Sequence, residues 1–244
     1  MTLLENIGSK NGEEIVWKEY DRTFAYTVND KQNITFDLNG KKIYAKTTVN
    51  GYTGFLLVKN GGSLTIKDSA EGGELNYLDG KDNEGGLAIS SEGKLTIESG
   101  TIENHTVCVS SAIQGAIDVH ANEWGTSYTH HVTFIMNGGV LKSHNDNTLR
   151  IYDSSQTGKG TVVFDFEISG GEIYGADAVF IMTQWTKQHS TGETYMNNIN
   201  VNVKGGKFVT KNGIRVVGNV GEDNNKDYKA IKINVSGGEF SVNT

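Results

Sequence analysis

The chain has 244 residues, among them 31 glycines, one cysteine and no proline, and its formal net charge is −7. An acidic chain whose basic residues are scattered has no electrostatic footprint for nucleic acid, and no apolar run approaches the roughly 18 residues of a membrane span. The single cysteine, Cys108, excludes an intrachain disulfide and is expected to be a buried, inert thiol.

Residues 1–32 are predicted to form an N-terminal cap segment. Ile15, Val16 and Trp17 are too clustered to give the apolar stripe of an amphipathic helix, so this stretch is expected to cover the first turn of the domain that follows. Residues 1–10 lack the basic start and the apolar region of a signal peptide, which leaves a cytoplasmic location open beside an extracellular one.

From residue 33 onward the chain repeats one phrase seven times, an alternating apolar run followed by a glycine corner. Successive corner glycines are 33, 27, 39, 32, 35 and 32 residues apart, a period that is typical of solenoid proteins. Within a phrase the apolar residues recur at every second position, as in Val132, Phe134 and Met136, which predicts a strand with one buried face. The phrases occupy residues 34–40, 64–73, 95–100, 132–139, 164–171, 199–206 and 231–238.

Two further strands are predicted in most repeats. The second is marked by an apolar residue two or three positions after the corner glycine: Ile43, Leu75, Ile102, Leu141, Ile173, Phe208 and Phe240. The third is predicted at residues 55–58, 87–90, 116–119, 149–152, 179–182 and 214–217. Three strands per repeat predict an all-β fold, a single-stranded parallel β-helix solenoid of about seven rungs of three short strands that occupies residues 33–244.

Several runs carry a family resemblance. The runs NITFDLNG at 33–40 and GGSLTIKD at 61–68, the echo GKLTI at 93–97 and the SGG corners at 169–171 and 236–238 resemble right-handed β-helix proteins of the pectin-lyase-like superfamily. They are also similar to repeat regions of bacterial surface proteins and phage tail or baseplate proteins. The resemblance implies a right-handed helix in an extracellular, cell-surface or virion-borne module that contacts polysaccharide or supports a part that does.

The connections from third to first strands lengthen from the third rung onward and are predicted to form a ledge on one face. These loops are residues 120–131, 153–160, 184–198 and 218–229. Exposed aromatic rings stack against sugars while polar groups fix orientation, so the ledge is the expected ligand-binding site. Its stacking residues are Trp124, Tyr128, Trp185 and Tyr195, and its polar contacts are His120, His130 and His189. The alternative is that these rings only pack their own loops onto the solenoid.

No metal or other cofactor is expected. His120, His130 and His131 fall within twelve residues, but no acidic residue or cysteine stands at a recognised ligand spacing, and adjacent strand residues point to opposite faces. The acidic stretch 222–227 lacks the order of a calcium loop and reads as solvated turn residues.

Catalysis is the alternative function that the resemblance implies, because many pectin-lyase-like β-helix proteins cleave acidic polysaccharides. The chain lacks the adjacent aspartates, the Gly-His-Gly turn and the Arg-x-Lys pair of polygalacturonases. Arg150 and Arg215 alternate with apolar residues and are expected to face solvent. If the protein is an enzyme, the candidate acids are Asp118, Glu123, Asp153 and Asp177.

Three hypotheses follow from the sequence. The first is a non-catalytic β-helix module of a cell-surface or phage-particle protein, which recognises glycan or another surface ligand through the ledge. The second is a polysaccharide lyase or glycoside hydrolase whose active site lies on the same loops. The third is a passive structural spacer that self-associates or meets neighbouring domains at its C-terminal rung, where the last strands expose a sheet edge.

Overall fold

A computed structural model of the chain describes residues 1–8, 15–17, 24–47, 53–78, 86–106, 115–121, 129–144, 147–153, 161–183, 198–218 and 231–242. The regular secondary structure of these residues consists of β-strands. No described segment forms a helix that is long and apolar enough to cross a membrane.

The described residues contain twenty strands, which stack in three rows to form a parallel β-solenoid. The first row contains β3 (Asn33–Asp37), β6 (Ser63–Lys67), β9 (Lys94–Ile97), β12 (Thr129–Met136), β15 (Thr161–Ile168), β17 (Asn198–Val203) and β19 (Ile231–Val235). The second contains β1 (Ile15–Trp17), β4 (Lys42–Thr47), β7 (Glu74–Tyr77), β10 (Thr101–Asn104), β13 (Val140–Ser143) and β20 (Glu239–Val242). The third contains β2 (Phe24–Val28), β5 (Thr53–Val58), β8 (Gly86–Ser91), β11 (Gly115–Ala121) and β14 (Asn147–Asp153).

Two long strands join the second row to the third. These are β16 (Glu172–Thr183) and β18 (Lys207–Gly218), whose first halves continue the second row and whose second halves continue the third. All pairings between described strands are parallel, as expected when equivalent strands of successive turns meet. The all-β parallel solenoid predicted from the repeat is therefore confirmed.

The prediction of about seven rungs of three short strands is too regular. Four turns have three separate strands, two turns have a merged second and third strand, and the described part of the last turn has two strands. The merging occurs at β16 and β18, where the backbone stays extended instead of breaking between the second and third positions.

Apolar residues stack in columns along the inside of the solenoid. One column of the first row pairs Leu64 with Leu95, then continues through Phe134, Phe166 and Val201 on successive turns, and all five side chains are buried. The seven apolar residues predicted to mark the second strand form another such column. Each turn therefore buries apolar surface that the next turn must cover, which is the source of stability in a solenoid.

The described residues before β3 lie over the first full turn. Thr2 pairs with Asp37 and Ile7 with Ile43 through isolated parallel bridges, while β1 pairs with β4 and β2 with β5. Leu3 is buried in the core. The assignment of residues 1–32 to a separate cap segment stays a prediction.

The last described turn is uncovered. Phe240 is 47% exposed and stacks on Phe208, which is 1% exposed one turn earlier, with ring centroids 4.5 Å apart. Val235 and Val242 of the same turn are also exposed. The apolar columns of the core therefore open to solvent at this end of the described structure.

Corner glycines provide a direct test of the stacking. Gly171 has a φ of +85°, and a Cβ built there would lie 2.7 Å from the carbonyl oxygen of Gly139 and 2.9 Å from the carbonyl carbon of Gly138, on the turn before. Gly72 has a similar φ of +82°, but a Cβ there would meet nothing within 4 Å.

We expect Gly171→Ala to lower stability by more than Gly72→Ala. Both substitutions add the backbone strain of about 1–2 kcal/mol that an L side chain meets at positive φ, but only the first adds a backbone clash between turns. Urea unfolding midpoints of the two variants and the parent chain measure the difference. Equal midpoints for the two variants would contradict the close approach of successive corners.

Candidate functional site

Most of the predicted ligand-binding residues cannot be placed. Five of them lie outside the described residues: Trp124, Tyr128, Trp185, Tyr195 and His189. The candidate acid Glu123 and the single cysteine, Cys108, also lie outside the described residues. Asp153 is the last residue of β14. The aromatic part of the predicted ledge therefore stays a prediction.

Two of the predicted histidines, His120 and His130, belong to strands and not to a loop. His120 lies in β11 and is buried on the outer face, while His130 lies in β12 and is buried on the inward face that it shares with Val132. His131, the next residue, is exposed and its Nε2 lies 2.6 Å from Asp165 Oδ2. Strand alternation turns His130 inward and His131 outward, whereas His120 is buried although it lies on the outer face.

A group of polar and charged side chains lies on the outer face of the third row, and all of them are buried except Glu92, which is partly buried. We define Ser90, Glu92, Asp118, His120 and Arg150 as the buried charge cluster. In-register pairing places Ser90 beside Asp118 and Asp118 beside Arg150 on three successive turns. Arg150 is 1% exposed, so the expectation that it faces solvent is wrong. Alternation does turn this residue away from the core, but the outer face of the third row is buried at this point.

The members of the buried charge cluster form a continuous chain of polar contacts. Arg150 Nε donates to Asp118 Oδ1 at 2.5 Å, and the Arg150 guanidinium carbon lies 4.6 Å from the ring centroid of Tyr152. His120 Nδ1 lies 3.3 Å from Asp118 Oδ2, and His120 Nε2 lies 3.0 Å from Glu92 Oε1. Two carboxylates thus face two cations, so the cluster has no net charge when all four groups are ionised.

The contacts of His120 hold it in the charged form. Burial by itself lowers the pKa of this imidazole, but the hydrogen bonds to Asp118 and Glu92 outweigh it and raise the pKa to about 9. Burial by itself raises the pKa of Asp118, but the charge of Arg150 and the hydrogen bond from His120 bring it well below the usual range of an aspartate. The pKa of Glu92 is lowered by His120 against the opposing effect of burial.

This geometry is unsuited to nucleophilic catalysis. A Ser-His-Asp triad needs the serine and the carboxylate on opposite nitrogens of the imidazole. Here Ser90 Oγ lies 3.2 Å from His120 Nδ1, the same nitrogen that faces Asp118, and the other nitrogen is occupied by Glu92. The buried charge cluster therefore acts as a structural ion-pair network between turns.

Asp177 has a similar environment elsewhere in the third row. It is buried, its Oδ1 accepts a hydrogen bond from Asn212 Nδ2 at 2.8 Å, and its Oδ2 lies 3.0 Å from Arg215 Nε. The side chain of Arg215 is half exposed, in line with the expectation for that residue. Asp118 and Asp177 are two turns and three register positions apart, a separation of about 14 Å from the strand and residue spacings.

The outward face of the second row carries a polar groove that was not among the predicted sites. In-register pairing aligns Glu103 of β10 with Lys142 of β13 and with Tyr174 of β16, one turn apart in each case. We define the second-row groove by its lining residues: Glu103, Val140, Lys142, Ser143, His144, Glu172 and Tyr174. Its volume is about 530 Å³. Acids, a lysine, a histidine and a phenol ring thus line one depression on a strand surface.

One edge of the second-row groove holds the only described set of three histidine or acidic residues whose potential metal-ligand atoms converge. These residues are Glu103, His105 and His144, and one ligand atom from each lies within 4.8 Å of the other two. His144 Nε2 is 2.6 Å and His105 Nε2 is 3.5 Å from Glu103 Oε1. Burial raises the pKa of Glu103, but the hydrogen bond with His144 outweighs it and the net pKa is lowered.

A signal for this cluster is present in the sequence. His105 and His144 each stand five residues after a corner glycine, Gly100 and Gly139, so equal corners place them at the same point on successive turns. Glu103 precedes His105 by two residues and shares its face. A search for ligands close together along the chain misses the cluster, because the two histidines are separated by one full turn.

Comparison with protein-family models, with curated proteins and with solved structures finds no match for the chain.

We expect Arg150→Met to destabilise the protein by about 3–5 kcal/mol, because it removes the buried guanidinium that pairs with the Asp118 carboxylate and leaves only His120 beside it. Urea unfolding measures the loss. Lys204→Met is the matched control, since it removes the cation of an exposed pair with Glu167 and should change stability by less than about 1 kcal/mol. The double variant Asp118→Asn/Arg150→Met should recover part of the loss. A single variant as stable as the control would contradict the role of the buried charge cluster.

The buried charge cluster should also make stability depend on pH. The pKa of His120 is raised from 6.5 to about 9, so its contribution is complete below about pH 6.5 and is lost as the pH rises through about 9. The pKa of Asp118 is lowered from 3.8, so its contribution is present above that pH and is lost on further acidification. We expect a plateau between about pH 4 and pH 6.5.

Urea midpoints measured from pH 3 to pH 10 test this profile. His120→Gln should flatten the alkaline decline between about pH 6.5 and pH 9. A variant with the same alkaline slope as the parent chain would show that another group causes the decline.

Proposed function

We propose that the protein is a non-catalytic β-solenoid module that recognises glycan or another polar surface ligand through side chains on its outer faces. The observation that carries this proposal is the second-row groove, a depression of about 530 Å³ lined by hydrogen-bonding groups on rigid strands. The aromatic ledge predicted from the long loops would supply a second contact region.

The chemistry of the second-row groove suits a ligand rich in hydroxyl groups. The carboxylates of Glu103 and Glu172 accept hydrogen bonds, the ammonium group of Lys142 donates them, and the ring of Tyr174 offers a flat apolar face. Tyr174 donates its phenol proton to Glu172, which fixes the orientation of the ring. Strands hold these groups with little loss of conformational entropy on binding.

The two candidate acids with described side chains, Asp118 and Asp177, favour recognition over cleavage. Glycoside hydrolysis needs two carboxyl groups about 5–9.5 Å apart and in contact with the substrate. Asp118 and Asp177 are both buried, and each carboxylate is paired with an arginine instead of facing a surface that a substrate could reach. Neither carboxylate is placed to act as a general acid or base on a polysaccharide.

We further propose that the solenoid is right-handed and that the protein is related to the pectin-lyase-like superfamily. We also propose that it is located on a cell surface or a phage particle. They are supported by the sequence resemblance and by the solenoid fold, which suits a stiff, elongated module between other parts of an assembly.

A structural assembly element is the second candidate, and the uncovered last turn favours it. Phe240 and Val235 present apolar side chains at positions where the equivalent residues one turn earlier, Phe208 and Val203, are buried. Apolar surface of this kind is a contact site for other protein.

We expect Tyr174→Ala to weaken glycan binding about tenfold, which corresponds to about 1.4 kcal/mol, because it removes the stacking face of the second-row groove. Tyr44→Ala is the matched control, since Tyr44 occupies the same column of the second row four turns away and is equally half-buried. A glycan array supplies the ligand, and titration of the best ligand measures both variants. Trp124→Ala and Trp185→Ala report on the ledge in the same assay.

Product analysis by mass spectrometry on every bound polysaccharide completes the experiment. Binding without products, weakened by Tyr174→Ala and unchanged by Tyr44→Ala, is the expected result. Released oligosaccharides would overturn the non-catalytic assignment. Absence of binding across the panel, together with self-association in light scattering, would favour the assembly element.

A further inference from the structure

We infer that Glu103, His105 and His144 form a binding site for a divalent transition-metal ion of the zinc type. This inference does not rest on the proposed function, because the three residues are close to one another whether or not a glycan occupies the second-row groove.

The stacking of two turns brings the three side chains together. Glu103 and His105 are two residues apart and lie on the outward face, and the pairing of Asn104 with Ser143 places His144 directly beside His105 on the next turn. The hydrogen bond from the His144 amide to the Asn104 carbonyl, 3.2 Å long, continues this register beyond the strands. The imidazole centroids are 4.5 Å apart with a plane angle of 23°.

The distances are close to those of a metal centre. Tetrahedral zinc has ligand bonds of about 2.0–2.1 Å, which sets neighbouring ligand atoms about 3.3 Å apart. The separation of His105 Nε2 from Glu103 Oε1 is 3.5 Å and fits this value, while the 2.6 Å from His144 Nε2 to the same oxygen must lengthen by about 0.7 Å. His144 has the freedom to make that adjustment, since its side chain is 50% exposed.

The donor set selects the class of ion. Two imidazole nitrogens and one carboxylate oxygen suit zinc and its neighbours, whereas calcium and magnesium prefer six or more oxygens. His105 Nε2 also lies 3.3 Å from Asn76 Oδ1, an amide oxygen that would stand beside the ion. Lys142 Nζ is 4.0 Å from Glu103 Oε2, the other carboxylate oxygen, and so leaves Oε1 to the ion.

Zinc titration of the whole chain by isothermal calorimetry, at neutral pH in a buffer that does not chelate metals, tests the site. We expect one Zn²⁺ per chain and no comparable binding of Ca²⁺ or Mg²⁺. His144→Ala and Glu103→Gln should each weaken zinc binding at least about tenfold, since changes outside the ligand shell alone cost that much. His144 is the primary test, because its half-exposed side chain can be removed without disturbing the core.

The control is His131→Ala, which breaks an exposed histidine–carboxylate pair with Asp165 that has the same 2.6 Å contact. It should leave zinc binding unchanged. Absence of stoichiometric binding to the parent chain would overturn the inference, and so would binding that survives both His144→Ala and Glu103→Gln. Equal loss in His131→Ala would show that zinc binds surface histidines without a specific site. Unfolding midpoints confirm that each variant is folded.

Discussion

Hydrogen bonds between successive turns hold equivalent residues of this solenoid in register, and the position of every described side chain follows from that pairing. Parallel strands about 4.8 Å apart turn each sequence position into a straight column that runs along the stack. Inward columns, such as the one through Phe134 and Phe166, become the core. Outward columns place residues from different turns side by side, so a site needs no loop to assemble it. The clusters that bear on function in this molecule are products of the outward columns.

The outward-facing polar clusters of the third and second rows differ in their exposure to solvent. In the third row, Asp118 and Arg150 are removed from water, and a buried carboxylate and guanidinium stabilise the fold only as a pair. In the second row, Glu103 and His144 remain partly hydrated, so their contacts can be exchanged for contacts to a ligand or a metal ion. Burial therefore decides which polar cluster is structural and which is available for recognition, although both arise from the same stacking geometry.

The period-two alternation and the spaced glycines were enough to predict the row structure, because both are set by local backbone geometry. The merging of the second and third strands in β16 was not predictable, since alternation of apolar residues does not show whether the backbone breaks between two successive strands. Arg150 was expected at the surface, because alternation reports which face a residue occupies and not whether that face is covered. His105 and His144 were missed because their proximity depends on the register between turns, which spacing along the chain does not show directly.

In-register stacking of β10 on β13 builds the proposed metal-binding site from two turns. Anomalous diffraction at the zinc absorption edge, from crystals grown with one equivalent of zinc, tests it most directly. We expect a single strong peak bonded to Nε2 of His105, Nε2 of His144 and a carboxylate oxygen of Glu103, with the two histidines side by side on adjacent turns. A peak at other residues, or a register that separates the two histidines, would contradict it.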